Sequence, residues 1–172
     1  VAKPAVRRHE RPRDRNPHGR ELEQGQHARR LEQRMTRDRF ERLVTEAITL
    51  IPKRFRREMR NLALVVEDEP STELLDEMEI APPDSLSGLY QGTPLPERSW
   101  AFGNGLPDRI TIFQTPIEED SVDEDEVRAV IGETLIHEIG HYFGMSEEEI
   151  EEIEERYWRG DTLGPDEDDD EA

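Results

Sequence analysis

The chain has 172 residues, 38% charged and 33% hydrophobic, with no cysteine and a formal net charge of -19. At this length a single core is expected, and the longest apolar run, Leu62 to Val66, is far too short for a membrane helix. The absence of cysteine excludes a disulfide framework, thiolate zinc sites and a thiol nucleophile, so the expectation is a soluble cytoplasmic protein with no membrane partner.

The charge is segregated. Residues 1–60 hold 18 Lys/Arg against 9 Asp/Glu, whereas residues 61–172 hold 5 against 33. Residues 1–34 contain no Phe, Tyr or Trp and few large aliphatic residues. That is too little apolar surface to offset chain entropy, so a disordered basic arm is expected there. Its ten basic residues are offset by five acidic ones, and it has no aromatic ring to stack on bases, so nucleic acid is not expected as a partner. His9, His18 and His27 lie in this arm without a fold to bring them together. Met35 stands just before the first helical pattern, which raises the expectation that the arm is upstream reading frame and not part of the natural protein.

The folded domain is expected over residues 35–160. Phe40, Leu43, Val44, Ala47, Ile48 and Ile51 recur at the spacing of an amphipathic helix. Pro52 punctuates it, at the first turn of a short second helix carrying Phe55 and Met59. Leu62 to Val66 reads as a strand covered on both faces. Six of the twelve prolines fall between Pro82 and Pro116, a stretch read as loop with a short strand near Gly88–Gly92. Ile110–Phe113 alternates and reads as an edge strand able to pair with an extended peptide. Ser121 and Glu124 have capping-box spacing and open a helix running to about Phe143, where Gly144 ends it. Asp123 and Asp125 are assigned to the start of this helix. Ser146 and Glu149 repeat the spacing and open a last helix ending near Trp158. Residues 161–172 read as a disordered acidic tail.

One motif carries chemistry. His137, Glu138 and His141 form an H-E-x-x-H within the best-delimited helix. Residues i and i+4 lie about 40° apart on a helix, so both imidazoles can reach one metal ion. Glu138 points to the flank, where it can accept a proton from a zinc-bound water attacking a carbonyl. Ile131, Leu135, Ile136, Ile139, Tyr142 and Phe143 cover the rest of the helix, while Glu126 and Glu133 mark a narrow wet edge. Polar groups on so apolar a helix need partners, because each one buried alone costs about 2–7 kcal/mol.

A catalytic zinc takes a third protein ligand. Gly144 lets the chain turn back, so Glu147 three residues later fits that place. It also fits as a first-turn acid stabilised by the helix dipole after a Ser146 cap. At about 100° per residue, Glu147 and Glu154 fall within the stripe defined by Ile150, Ile153, Tyr157 and Trp158. Glu148, Glu149, Glu152 and Glu155 project away from it. Glu147 is therefore favoured as ligand, with Glu154 as supporting or substitute ligand. Tyr90, Arg98 and Arg109 are candidate oxyanion donors, and Tyr142 is assigned to the core.

These residues resemble the minimal zincins, small bacterial zincin-like metallopeptidases long listed as a domain of unknown function. The resemblance spans Phe40 to Trp158. It rests on Ile51-Pro52, Leu64–Asp68 followed by Pro70, Gly88–Gly92 with Pro94, Leu106–Ile110 and, above all, His137 to Glu147. It implies a compact α+β fold, with a short mixed sheet packed on the H-E-x-x-H helix and a closing C-terminal helix. The implied function is a Zn2+-dependent peptidase, for which a peptide or protein substrate is expected, and a monomer is expected apart from the resemblance. Glu138 would be the base, and His137, His141 and Glu147 the ligands. The family usually has Asp where this chain has Glu147. The alternative is a zincin-fold module that binds metal or regulates without turnover.

Overall fold

The structure, a computed structural model, describes residues 6–7, 34–98 and 106–161. Nearly all of the expected basic arm, its three histidines and nearly all of the acidic tail lie outside these residues.

The elements follow from local chemistry. Val6–Arg7 (β1) pairs antiparallel with Ser85–Leu86 (β3). Helix α1, Arg37–Ile48, starts where Thr36 Oγ1 accepts from the Arg39 amide, and it buries Phe40, Leu43, Val44 and Ala47. Pro52 caps α2, Lys53–Glu58, from just outside its first turn. Strand β2, Leu62–Glu67, is followed by a helix with no apolar period long enough to announce it: α3, Thr72–Glu77, capped by Ser71. Then come β4, Gly88–Gln91, a 3-10 turn at Leu95–Glu97, and β5, Asp108–Phe113. A second helix not expected from the sequence, α4, Gln114–Glu119, leads to α5, Glu124–Tyr142, and α6, Glu147–Trp158.

The main sheet has the order β2-β5-β4, with β2 parallel and β4 antiparallel to β5. This corrects the reading of Ile110–Phe113 as an edge strand. Its backbone is paired on both sides, Ile110 with Leu64 and with Tyr90, which leaves it no free row of N–H and C=O groups for a peptide, and its alternating residues serve two separate apolar layers. Ile110 and Ile112 enter the core under α5 and α1, while Phe113 joins Leu86 and Leu89 against Leu74, Leu75, Met78 and Ile80. The strand read as covered on both faces, β2, lies at an edge, and Leu64 on it is exposed.

Helix α5 is buried almost all round, as a helix with apolar residues on most faces must be. Its start also differs from expectation. Asp123, not Ser121, is the cap: its carboxylate accepts from the Glu126 amide, and Glu126 reaches back to the Val122 amide. Ser121 instead donates to the carbonyl of Ile117 at the end of α4, and Glu124 pairs with Arg39 of α1. Tyr142 packs in the core as expected, its hydroxyl donating to Glu58 O at 2.8 Å. Trp158 departs from the stripe assigned to it. It is exposed, with its indole N–H on Glu133. Among the described residues no helix is long and apolar enough to cross a membrane.

Candidate metal centre

The turn between α5 and α6 places the site. Gly144 has φ 72°, a left-handed conformation that side chains disfavour. The Met145 amide donates to Gly140 O and the Gly144 amide to His141 O, the paired bonds that close a helix before reversing the chain. Ser146 then caps α6, with Glu149 completing the reciprocal capping box. The helix returns antiparallel along α5, anchored by fully buried Ile150 against Gly140 and by the Tyr157 hydroxyl on Ala129 O.

Seven glutamates lie on α6, and two of them, Glu147 with its side chain 44% exposed and Glu154 with its side chain 18% exposed, reach the motif histidines. Both are turned toward α5. Glu147 Oε1 stands 3.7 Å from His141 Nε2, and Glu154 Oε1 stands 2.8 Å from His137 Nδ1. The two imidazoles face edge to plane with centroids 4.8 Å apart. His141 is buried and His137 partly buried. One ligand atom from each of His137, His141 and Glu147 lies within 4.8 Å of the other two.

This donor set fits zinc. Two imidazoles and a carboxylate make a common catalytic zinc set, and ligands at zinc–nitrogen lengths in a tetrahedron stand about 3.4 Å apart. The 3.7 Å between His141 and Glu147 is close to that spacing.

Glu138 lies elsewhere, as its place on the wheel requires. It is fully buried, and its Oε2 accepts from the Tyr90 amide of β4 at 2.7 Å. That bond ties the motif helix to the outer edge of the sheet. The residue was legible in the motif; its backbone partner was not, since nothing local marks one amide of a strand as turned away from its neighbour.

The three oxyanion candidates are engaged in other contacts. Tyr90 donates its hydroxyl to Asp108 at 2.5 Å, and Arg98 pairs with the same carboxylate. Burial, then the bond to Asp108, pushes the Tyr90 phenol well above its ordinary range, so it stays protonated. Arg98 also lies over the Tyr142 ring. Arg109 pairs with Glu67 and donates to Thr111, on the sheet face opposite α5. Asp108, the hub of the first group, lies in the Leu106–Ile110 stretch of the resemblance, but nothing in the sequence near it marks the residues it gathers.

An open groove of about 460 Å³ is lined by Glu133, Glu151, Glu154, Glu155, Trp158 and Arg159.

A family model described as zincin-like metallopeptidase matches residues 59–157, more than half of the chain. No curated protein matches it.

Proposed function

The chain belongs to the zincin-like metallopeptidases, and from that premise we propose that it is a zinc-dependent peptidase, with His137, His141 and Glu147 as ligands and Glu138 as general base. The observation that carries this reading is the division of labour on one helix turn. His137 and His141 converge with Glu147 within 4.8 Å, while Glu138 between them is aimed at β4.

A zinc ion held there supplies Lewis acidity, lowering the pKa of a water and polarising a peptide carbonyl. The chain supplies the rest. Glu138, shielded from bulk water, would as general base take a proton from the attacking water and pass it to the leaving amine. The Tyr90 amide keeps that carboxylate from rotating away.

The test uses the full chain loaded with zinc and a peptide library, beside Glu138→Gln. The glutamine keeps an acceptor for Tyr90 but cannot take a proton. Zinc content should be unchanged and cleavage should fall about 10²–10⁴-fold. Equal cleavage by both proteins rejects Glu138 as base. Stoichiometric zinc with no cleavage by the wild type assigns the chain to the non-catalytic, metal-binding alternative.

A further inference from the structure

We propose that Glu154 is the positioning residue for His137, fixing its tautomer and ring orientation so that Nε2 faces the metal. This inference rests on the reading of His137 as a ligand and adds a fifth residue to the site.

Three observations converge. First, the contact is specific: Glu154 Oε1 meets Nδ1 of His137 at 2.8 Å. A carboxylate accepts, so Nδ1 carries the proton and Nε2 keeps its lone pair. Second, the carboxylate is withdrawn from water. The Glu154 side chain is 18% exposed, whereas its neighbours Glu151 and Glu155 are exposed. Taking a carboxylate out of water without a charged or donating partner is costly, and His137 supplies that partner.

Third, helix geometry forbids Glu154 from duplicating Glu147. The two lie seven residues apart, on one face but about 10.5 Å apart along α6, while His137 and His141 are only about 6 Å apart along α5. With α6 running antiparallel, Glu147 reaches His141 near the turn. Glu154 meets His137 one helical turn or more further from it, at Nδ1. The motif helix therefore presents two histidines that α6 treats differently, one beside a ligand carboxylate and one held by an orienting carboxylate.

The experiment uses the full chain, labelled with ¹⁵N, and three variants: Glu154→Ala, Glu154→Gln and Glu151→Ala. Long-range ¹H–¹⁵N spectra of metal-free protein near pH 8.5 read the His137 tautomer, and competition with a chromogenic chelator reads zinc affinity. Wild type should show the Nδ1–H tautomer. Glu154→Ala should lose that preference and bind zinc about 10–100-fold more weakly. Glu154→Gln, which retains an acceptor oxygen, should keep the tautomer and recover part of the affinity. Glu151→Ala, a carboxylate of the same groove without the histidine contact, should match wild type.

An Nε2–H tautomer in wild type overturns the proposal. So does unchanged affinity in Glu154→Ala, or an equal loss in Glu151→Ala, which would make the effect one of general negative charge. Should Glu154→Ala fail to fold, the wild-type tautomer and Glu154→Gln decide. A wild type that binds no zinc would defeat the peptidase reading, while the tautomer comparison still judges Glu154.

Discussion

Ile150 occupies the space that a side chain on Gly140 would need: a Cβ on Gly140 would stand 2.6 Å from Ile150 Cγ1 and 2.8 Å from its Cδ1. Gly140 is the residue just before His141 in the motif, and Ile150 lies three residues after Glu147. The glycine thus sets how close α6 comes to α5, and with it the reach of Glu147 to His141.

Gly140→Ala separates the two helices. Alanine gains about 1 kcal/mol of helix propensity, but overpacking a filled contact costs about 1–3 kcal/mol. Ile150 is fully buried, so its side chain can shift only against its neighbours. The expected outcome in urea denaturation is a net loss of about 1 kcal/mol, with zinc affinity falling alongside. An alanine variant more stable than wild type would show that the helices have slack between them.

Gly144→Ala addresses the turn. The position has φ 72°, and a Cβ there would meet Pro96 Cγ at 2.9 Å. A left-handed alanine costs about 1 kcal/mol before that contact is counted. We expect a loss of about 1–2 kcal/mol by chemical denaturation. The displaced turn should weaken zinc binding more than a surface alanine substitution in α3 does.

Zinc should bridge α5 and α6. A ligand that binds only the folded chain stabilises it by about 2.7 kcal/mol at a free concentration 100 times its Kd, raising Tm by roughly 5–15 °C. Elemental analysis should give one zinc per chain, and a chelator should reverse the Tm rise. His137→Ala should lose both the zinc and the shift. A shift that persists in His137→Ala would place the metal elsewhere.

The tyrosines predict an alkaline limit to stability. The chain has three, and burial raises the phenol pKa of Tyr90, Tyr142 and Tyr157 in the fold. Asp108 adds to the rise at Tyr90 and Glu133 to that at Tyr157. The folded chain therefore holds these protons more tightly than the unfolded chain. The resulting stability is fully present below the ordinary value of 10.0 and declines as pH rises above it. Denaturation at pH 10.5 should give a lower unfolding free energy than at pH 8. Tyrosinate absorbance near 295 nm should appear with unfolding and not before it. Absorbance rising at pH 10 in the folded chain contradicts the burial argument.

How far the sequence led depends on the kind of signal. Helices α1 and α6 were legible because each buries a face with a regular period, α5 because a long apolar stretch runs up to Gly144, and the H-E-x-x-H pattern has a direct geometric meaning on a helix. The wheel even separated Glu147 and Glu154 from the outward Glu148, Glu149, Glu152 and Glu155 of α6, with Glu151 at the margin. Short elements were another matter. Helices α3 and α4 span six residues each, too short for a period to stand out. The Ser121 spacing was a false cap because Asp123 offered a stronger one within two residues.

By itself, then, the sequence determined the motif, the reversal at Gly144 and the inward face of α6, since all three depend on interactions within a few residues along the chain. The tertiary structure decided what distant residues do to one another. It made Ile110–Phe113 a central strand, turned the Tyr90 amide onto Glu138, gathered Tyr90 and Arg98 on Asp108, and gave His141 and His137 different carboxylates. Those choices follow from strand order and the closeness of two packed helices, which side-chain volumes set across the core and no local periodicity encodes.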